Sequence, residues 1–184
     1  MGAFYSLGII FSNQDDAEEC KFLFSNYGVA LSDGTRIESR IFTDKCDYEI
    51  NGSKQYSCGI FPIGLELPGL NPKLVEAKYF YEIRNQLYLF LEKLNLEFNF
   101  AWFEFEAADI IKDENPLLEI KKNGIGEIHN GELNGYFNGT YDKNGYFPKR
   151  DLDGFVISES IYKSNELKIE EFKLFKSEYL WLPF

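Results

Sequence analysis

The chain has 184 residues, of which 45% are hydrophobic and 17% aromatic, enough apolar material to fold as one domain over residues 1–184 and too much for a disordered segment. Thirty acidic against nineteen basic side chains give a net charge of -11, a negative field that repels nucleic acid and anionic membranes and draws in basic partners. No apolar run reaches the length of a membrane span, and no basic segment precedes the first apolar run as in a secretory signal, so a cytoplasmic protein is expected.

"AFYSLGIIFS" (Ala3–Ser12) is rich in β-branched and aromatic residues and reads as a central strand. Ser12 or Asn13 caps a following helix whose early acids, Asp15, Asp16, Glu18 and Glu19, suit the positive end of its dipole. Ala17, Cys20, Phe24 and Tyr27 recur at helical spacing, and Gly28 supplies the stop. Residues 29–63 read as short strands separated by the turns "SDGT" (32–35) and "NGSK" (51–54). Asn71 and Pro72 then open a long helix to about Leu94, with Phe80, Ile83, Leu87, Phe90 and Leu94 on its buried face.

From Leu96 to Pro116 aromatic and acidic side chains interleave. Phe98, Phe100 and Trp102 alternate as in a strand, and the aromatic phase slips at Trp102–Phe103. Either a bulge near Ala101–Phe103 turns Glu104 and Glu106 to solvent, or the strand is covered on both faces with only its end exposed. Asn-Gly pairs begin at Asn123, Asn130, Asn134, Asn138 and Asn144, the strongest hairpin signal, at spacings that leave room only for very short strands. "GFVISESIY" and "FKLFKSEYLWLPF" close the chain as strands with a short helix between them. The pattern predicts an α+β fold: one domain, a mostly antiparallel sheet packed against one long helix and one or two shorter ones.

Catalytic chemistry is thinly represented. His129 is the single histidine, and Cys20, Cys46 and Cys58 match no Cys-x-x-Cys spacing; the three thiols read as small buried hydrophobes in a reducing compartment. The Asp-rich turns at 142–145 and 151–154 do not complete a calcium loop, because Lys149 and Ser160 stand at the end positions around the second. No cofactor or metal is expected. Asp109 with Glu119 and Lys121 has the residue types of an Asp…Glu-x-Lys divalent-metal site, in which carboxylates hold the ion and the lysine assists the attacking water; this makes a metal-dependent hydrolase or nuclease-like enzyme the enzymatic alternative. A carbohydrate-binding module using the Asn-Gly and tyrosine loop is another.

The acidic–aromatic "FAWFEFEAADIIKDE" and the closing "YLWLPF" favour a binding protein. In these stretches and in its acidic, single-domain character the chain resembles the immunity proteins of bacterial polymorphic-toxin and contact-dependent inhibition systems. That resemblance implies a cytoplasmic inhibitor that covers the active site of a basic cognate toxin. Glu104, Glu106, Asp109, Asp113 and Glu114 would meet the toxin, with Trp102 or a loop tyrosine (Tyr136, Tyr141 or Tyr146) as the anchor.

Overall fold

The computed structural model describes residues 5–65, 77–105, 107–124, 129–131, 147–149 and 152–184. Strand β1 (Tyr5–Phe11) is the apolar run near the N-terminus, and all seven of its residues are buried. Asn13 caps α1 (Gln14–Tyr27) by accepting a hydrogen bond from the Asp16 N–H at 2.8 Å. Ala17, Cys20 and Phe24 are its buried stripe, and the Gly28 N–H ends the helix on the Phe24 carbonyl at 2.9 Å. A small hairpin, β2 (Val29–Ala30) with β3 (Arg36–Ile37), follows. The next hairpin is far larger: β4 (Ser39–Ile50) has 12 residues and β5 (Ser53–Pro62) has 10. Asn51 and Gly52, with φ of 51° and 77°, make its turn, the left-handed pair that a two-residue hairpin requires. The expected short strands here are therefore corrected to long ones. β4 is largely exposed and lacks the apolar run that betrays a buried strand in sequence.

Helix α2 (Ala77–Lys93) buries Phe80, Ile83, Leu87 and Phe90, and Leu94 just beyond its end is buried with them. Its expected start at Asn71 and Pro72 lies outside the described residues. β6 (Phe100–Phe105) leads into α3 (Ala107–Asp113) and α4 (Pro116–Asn123). β7 (His129–Gly131) pairs antiparallel with β8 (Phe147–Lys149), bracketing the Asn-Gly segment whose interior is outside the described residues. The first Asn-Gly pair makes no hairpin: Gly124, with φ of 67°, caps the C-terminus of α4. β9 (Val156–Ser158), α5 (Glu159–Ser164), β10 (Lys173–Lys176) and β11 (Tyr179–Trp181) complete the chain.

Seven strands form one antiparallel sheet in the order β10-β11-β9-β6-β1-β5-β4. Side chains alternate across a strand, and here both faces are apolar. Leu7, Ile9 and Phe11 join Ala101 and Phe103 under α1 and α2, where Phe24 meets Phe90 edge-on at 4.9 Å. Ile10, Phe100, Trp102 and Ile157 face α3, α4 and α5. A sheet that is greasy on both sides needs two helical layers, which is why five helices are described where one long helix and one or two shorter partners were expected. β6 runs in unbroken register against β1 from Phe100 to Phe105. Of the two arrangements expected for this stretch, the strand covered on both faces is the one found, and no bulge interrupts it.

Two tethers close the side of β6 that β9 leaves uncovered. The Tyr88 hydroxyl donates to the Gly154 carbonyl at 2.5 Å and accepts from the Phe103 N–H at 3.4 Å. The Trp102 indole donates to the Asp153 carbonyl at 3.3 Å. Lys176 of β10 caps the far end of α2, donating to the Leu91 and Leu94 carbonyls at 2.9 and 2.7 Å, a charged partner for the negative end of the helix.

On the second face α3 sits unusually close, because β1 and β5 place Gly8 directly opposite Gly59. A Cβ on Gly8 would stand 2.8 Å from the Ala108 Cα and 2.6 Å from the Ile111 Cδ1. Gly8→Ala is expected to force α3 off the sheet and lower stability by about 1–3 kcal/mol, the usual cost of overpacking. Urea unfolding of the purified variant checks it, and an unchanged midpoint would remove the close approach from the account.

Candidate functional site

Helix α3 carries three of the sequence-predicted contact residues within or next to it, and its seating decides which of them face solvent. The Ser6 hydroxyl, on β1, accepts from the Ala108 N–H at 3.0 Å and fixes the first turn. Ala107, Ala108 and Ile111 are buried against the sheet, so Asp109, Ile110 and Asp113 are turned outward and Glu114 follows them into solvent. Asn115 then accepts from the Leu117 N–H at 3.0 Å and, with Pro116, starts α4 at once, which keeps the acidic turn short.

Edge strand β4 runs beside this helix. Asp44 lies on the α3 face of β4, in register with Ser57. The Lys112 ammonium is 3.2 Å from the Asp113 carboxylate and 3.9 Å from that of Asp44. Partial burial disfavours the Lys112 charge, but the hydrogen bond to Asp113 and the negative charges of Asp113, Asp44 and Asp109 outweigh it and raise the pKa above its ordinary value. Asp44, Asp47 and Lys112 all act on the buried Cys46 thiol just beneath. Asp44, Asp109 and Asp113 thus form an acidic shoulder around one lysine, with a local excess of negative charge. Beside them, exposed on the same face of β4, is Phe42, 58% accessible, its ring packed edge-on against Phe61 at 5.6 Å.

The remaining predicted residues fall elsewhere. Trp102 is only 8% exposed and packs in the core of the second face, where its indole holds the Asp153 turn; its ring area is committed to this chain's own fold. Glu104 is half-buried at the end of β6, where its charge acts on Arg84 and Tyr88 of α2 and not on Lys112. Glu106, Tyr136, Tyr141 and Tyr146 lie outside the described residues. Of the residues for a metal-dependent reaction, Asp109 is on α3 while Glu119 accepts from Asn123, and Lys121 donates to Asn165 at 3.0 Å. Among the described residues no group of three or more His, Cys, Asp or Glu is placed to hold a metal ion.

A second acidic concavity, of about 410 Å³, opens at the end of β1 and is lined by Asp16, Glu97, Glu159, Glu178 and Lys163. Several of its polar groups have structural partners. Asp16 meets the Asn13 cap, Lys163 bridges to Glu159 at 2.5 Å, and Ser158 caps α5. Its floor is Asn99, which bonds to Ser12 at 3.0 Å and to Gln55 at 2.5 Å and ties β6 to its neighbours. The shoulder on α3 and β4 gathers more acids than its one lysine can neutralise.

Asp44 and Phe42 were not singled out in the sequence, although a signal was present. "RIFTDKC" alternates with period two, so Arg40, Phe42 and Asp44 share a face wherever that segment is a strand. What the sequence does not contain is the packing of that face beside a helix more than sixty residues away. No protein-family model, curated protein or solved structure shows significant similarity to the chain. Among the described residues no helix is long and apolar enough to cross a membrane.

Burial beneath this shoulder also fixes an alkaline limit. Desolvation pushes the Cys46 thiol up to about 12, and burial raises Tyr48, whose hydroxyl donates to the Ile111 carbonyl at 2.5 Å. Across the sheet the hydrogen bond to Cys58, with burial, raises Cys20. Each group holds its proton more tightly folded than unfolded. Their stabilisation is complete below the unfolded thiol value of about 8.5 and is lost as pH rises toward the folded values. Thermal melts are therefore expected to be level from neutrality to about pH 8.5 and to fall steadily above it. A melting temperature that rises through this range would contradict the buried thiols.

Proposed function

We propose that the protein is a binding protein that captures a basic partner on the acidic shoulder of α3 and β4. In its most specific form it is an immunity protein that neutralises a cognate toxin by covering a cationic active site. One observation carries this reading: Asp44, from an early hairpin, and Asp113, from α3, converge on a single lysine whose charge Asp109 also feels, and all three acids remain exposed. Like charges brought together by the fold weaken it slightly, and a solvated surface does not require their convergence; a cationic ligand would benefit from it. The net charge of -11 steers such a ligand in from a distance, and the local excess orients it. Exposed Ile110, between the two aspartates of α3, adds apolar contact area at the centre of the charge.

The test uses the toxin domain encoded beside this gene. Binding should tighten at low salt and weaken as salt rises, since rim charges act mainly on the rate of encounter. Asp109→Lys/Asp113→Lys should weaken binding at least about tenfold, or about 1.4 kcal/mol, and Asp44→Lys should do so in part. The circular dichroism of both variants should match that of the parent, because all three side chains are exposed. If the double reversal binds and protects as well as the parent, the shoulder is not the docking surface.

A further inference from the structure

β4 ends the sheet. It pairs with β5 on one side, and among the described residues no strand pairs with the other. An open edge is a template for another strand, and folded proteins blunt it with bulges and charges. The irregularity in β4 falls between Lys45 and Glu49, which leaves Ser39 to Lys45 in regular register. The charges in that regular stretch have an order that does not blunt the edge against every partner. On the α3 face the side chains are, in succession, Arg40, Phe42 and Asp44: a cation, an exposed ring and an anion at even spacing.

We infer that β4 pairs antiparallel with β4 of a second copy about a two-fold axis through Phe42. In that register each Arg40 stands opposite the other copy's Asp44, and Phe42 stands opposite Phe42. On the opposite face Ile41 meets Thr43 and Ser39 meets Lys45. Directly opposed residues of an antiparallel pair have Cβ atoms about 4.5–5.5 Å apart, close enough for two ion pairs and one ring contact. Phe61, packed behind Phe42 at 5.6 Å, extends the rings into a row of four across the join. The charges also reject neighbouring registers. Centring the axis two residues earlier opposes Arg40 to Arg40, and two residues later it opposes Asp44 to Asp44. All three registers meet the requirement of a two-fold interface, that residue i meets j while j meets i, but of these only the axis at Phe42 opposes unlike charges. The exposure of Phe42 then has a cause, since the ring is covered once two copies meet. The two acidic shoulders end on the same face of one continuous sheet and share Asp44 with the join, while Arg40 and Phe42 belong to the join alone, so Phe42→Lys separates pairing from capture of a basic partner.

Sedimentation velocity of the purified protein over micromolar concentrations tests this. The parent should dimerise. Arg40→Asp alone, which opposes acid to acid, and Asp44→Arg alone, which opposes base to base, should each weaken association at least about tenfold. The combined Arg40→Asp/Asp44→Arg variant should restore it, and this restoration also shows that the single variants fold. Phe42→Lys should give a monomer with an unchanged circular dichroism spectrum. A parent that stays monomeric throughout, single variants that dimerise as well as the parent, or a folded double variant that remains monomeric would each overturn the inference.

Discussion

Everything in this molecule depends on a sheet whose central strand is buried on both faces. β1 exposes none of its seven residues, so neither face can be left to water. Two cores follow from that single fact, one under α1 and α2 and one under α3, α4 and α5. The second is built around a close contact. With Gly8 opposite Gly59, the backbone of α3 approaches the sheet where any side chain would hold it away, and Ala107 and Ala108 are small enough to follow. Had larger residues lifted α3, its exposed side would no longer lie level with β4. The acidic shoulder is therefore a product of backbone proximity, and the glycines that make it possible carry no charge at all.

The fold was legible wherever the signal was local. The cap at Asn13, the stripe Ala17–Cys20–Phe24 and the stop at Gly28 are contained within sixteen residues and read correctly. So did the apolar run of β1, and the alternation that gave β6 once both of its faces were allowed to be buried. What misled was local chemistry with two uses. Asn-Gly makes a hairpin at Asn51, where both residues adopt positive φ, and a helix stop at Gly124, where the preceding helix is already committed. Trp102 sat in the most acidic–aromatic stretch of the chain and looked like an anchor, but its indole N–H has a backbone partner inside, which is how a buried tryptophan is usually satisfied.

The candidate site was half legible, for a related reason. Asp109, Asp113 and Glu114 could be singled out because they are neighbours in a helix. Asp44 could not, because its closeness to Lys112 is created by strand pairing and helix docking together. Glu104, only five residues before Asp109, went the other way, to the neighbourhood of Arg84. Sequence proximity in an acidic run is thus a poor guide to which charges act together. Glu104 on β6 and Asp109 on α3 act on different bases, Arg84 and Lys112.

The charges are unevenly spread over the fold. Several of its acids are absorbed by the fold. Asp15 and Asp16 lie in the first turn of α1, Glu82 accepts two hydrogen bonds from Ser32, and Glu159 holds Lys163. Bases are used the same way, Lys176 on the carbonyls of α2 and Arg84 over the Phe184 ring at 3.6 Å. On the shoulder, one lysine meets Asp113 and Asp44 and feels Asp109, charges that offset its partial burial and raise its pKa. Lys112 does not neutralise the patch. Partly buried, it offsets the mutual repulsion of aspartates that themselves stay exposed. For the cationic partner proposed above, the acids would already be ordered around Lys112, so little binding free energy would be lost to arranging them.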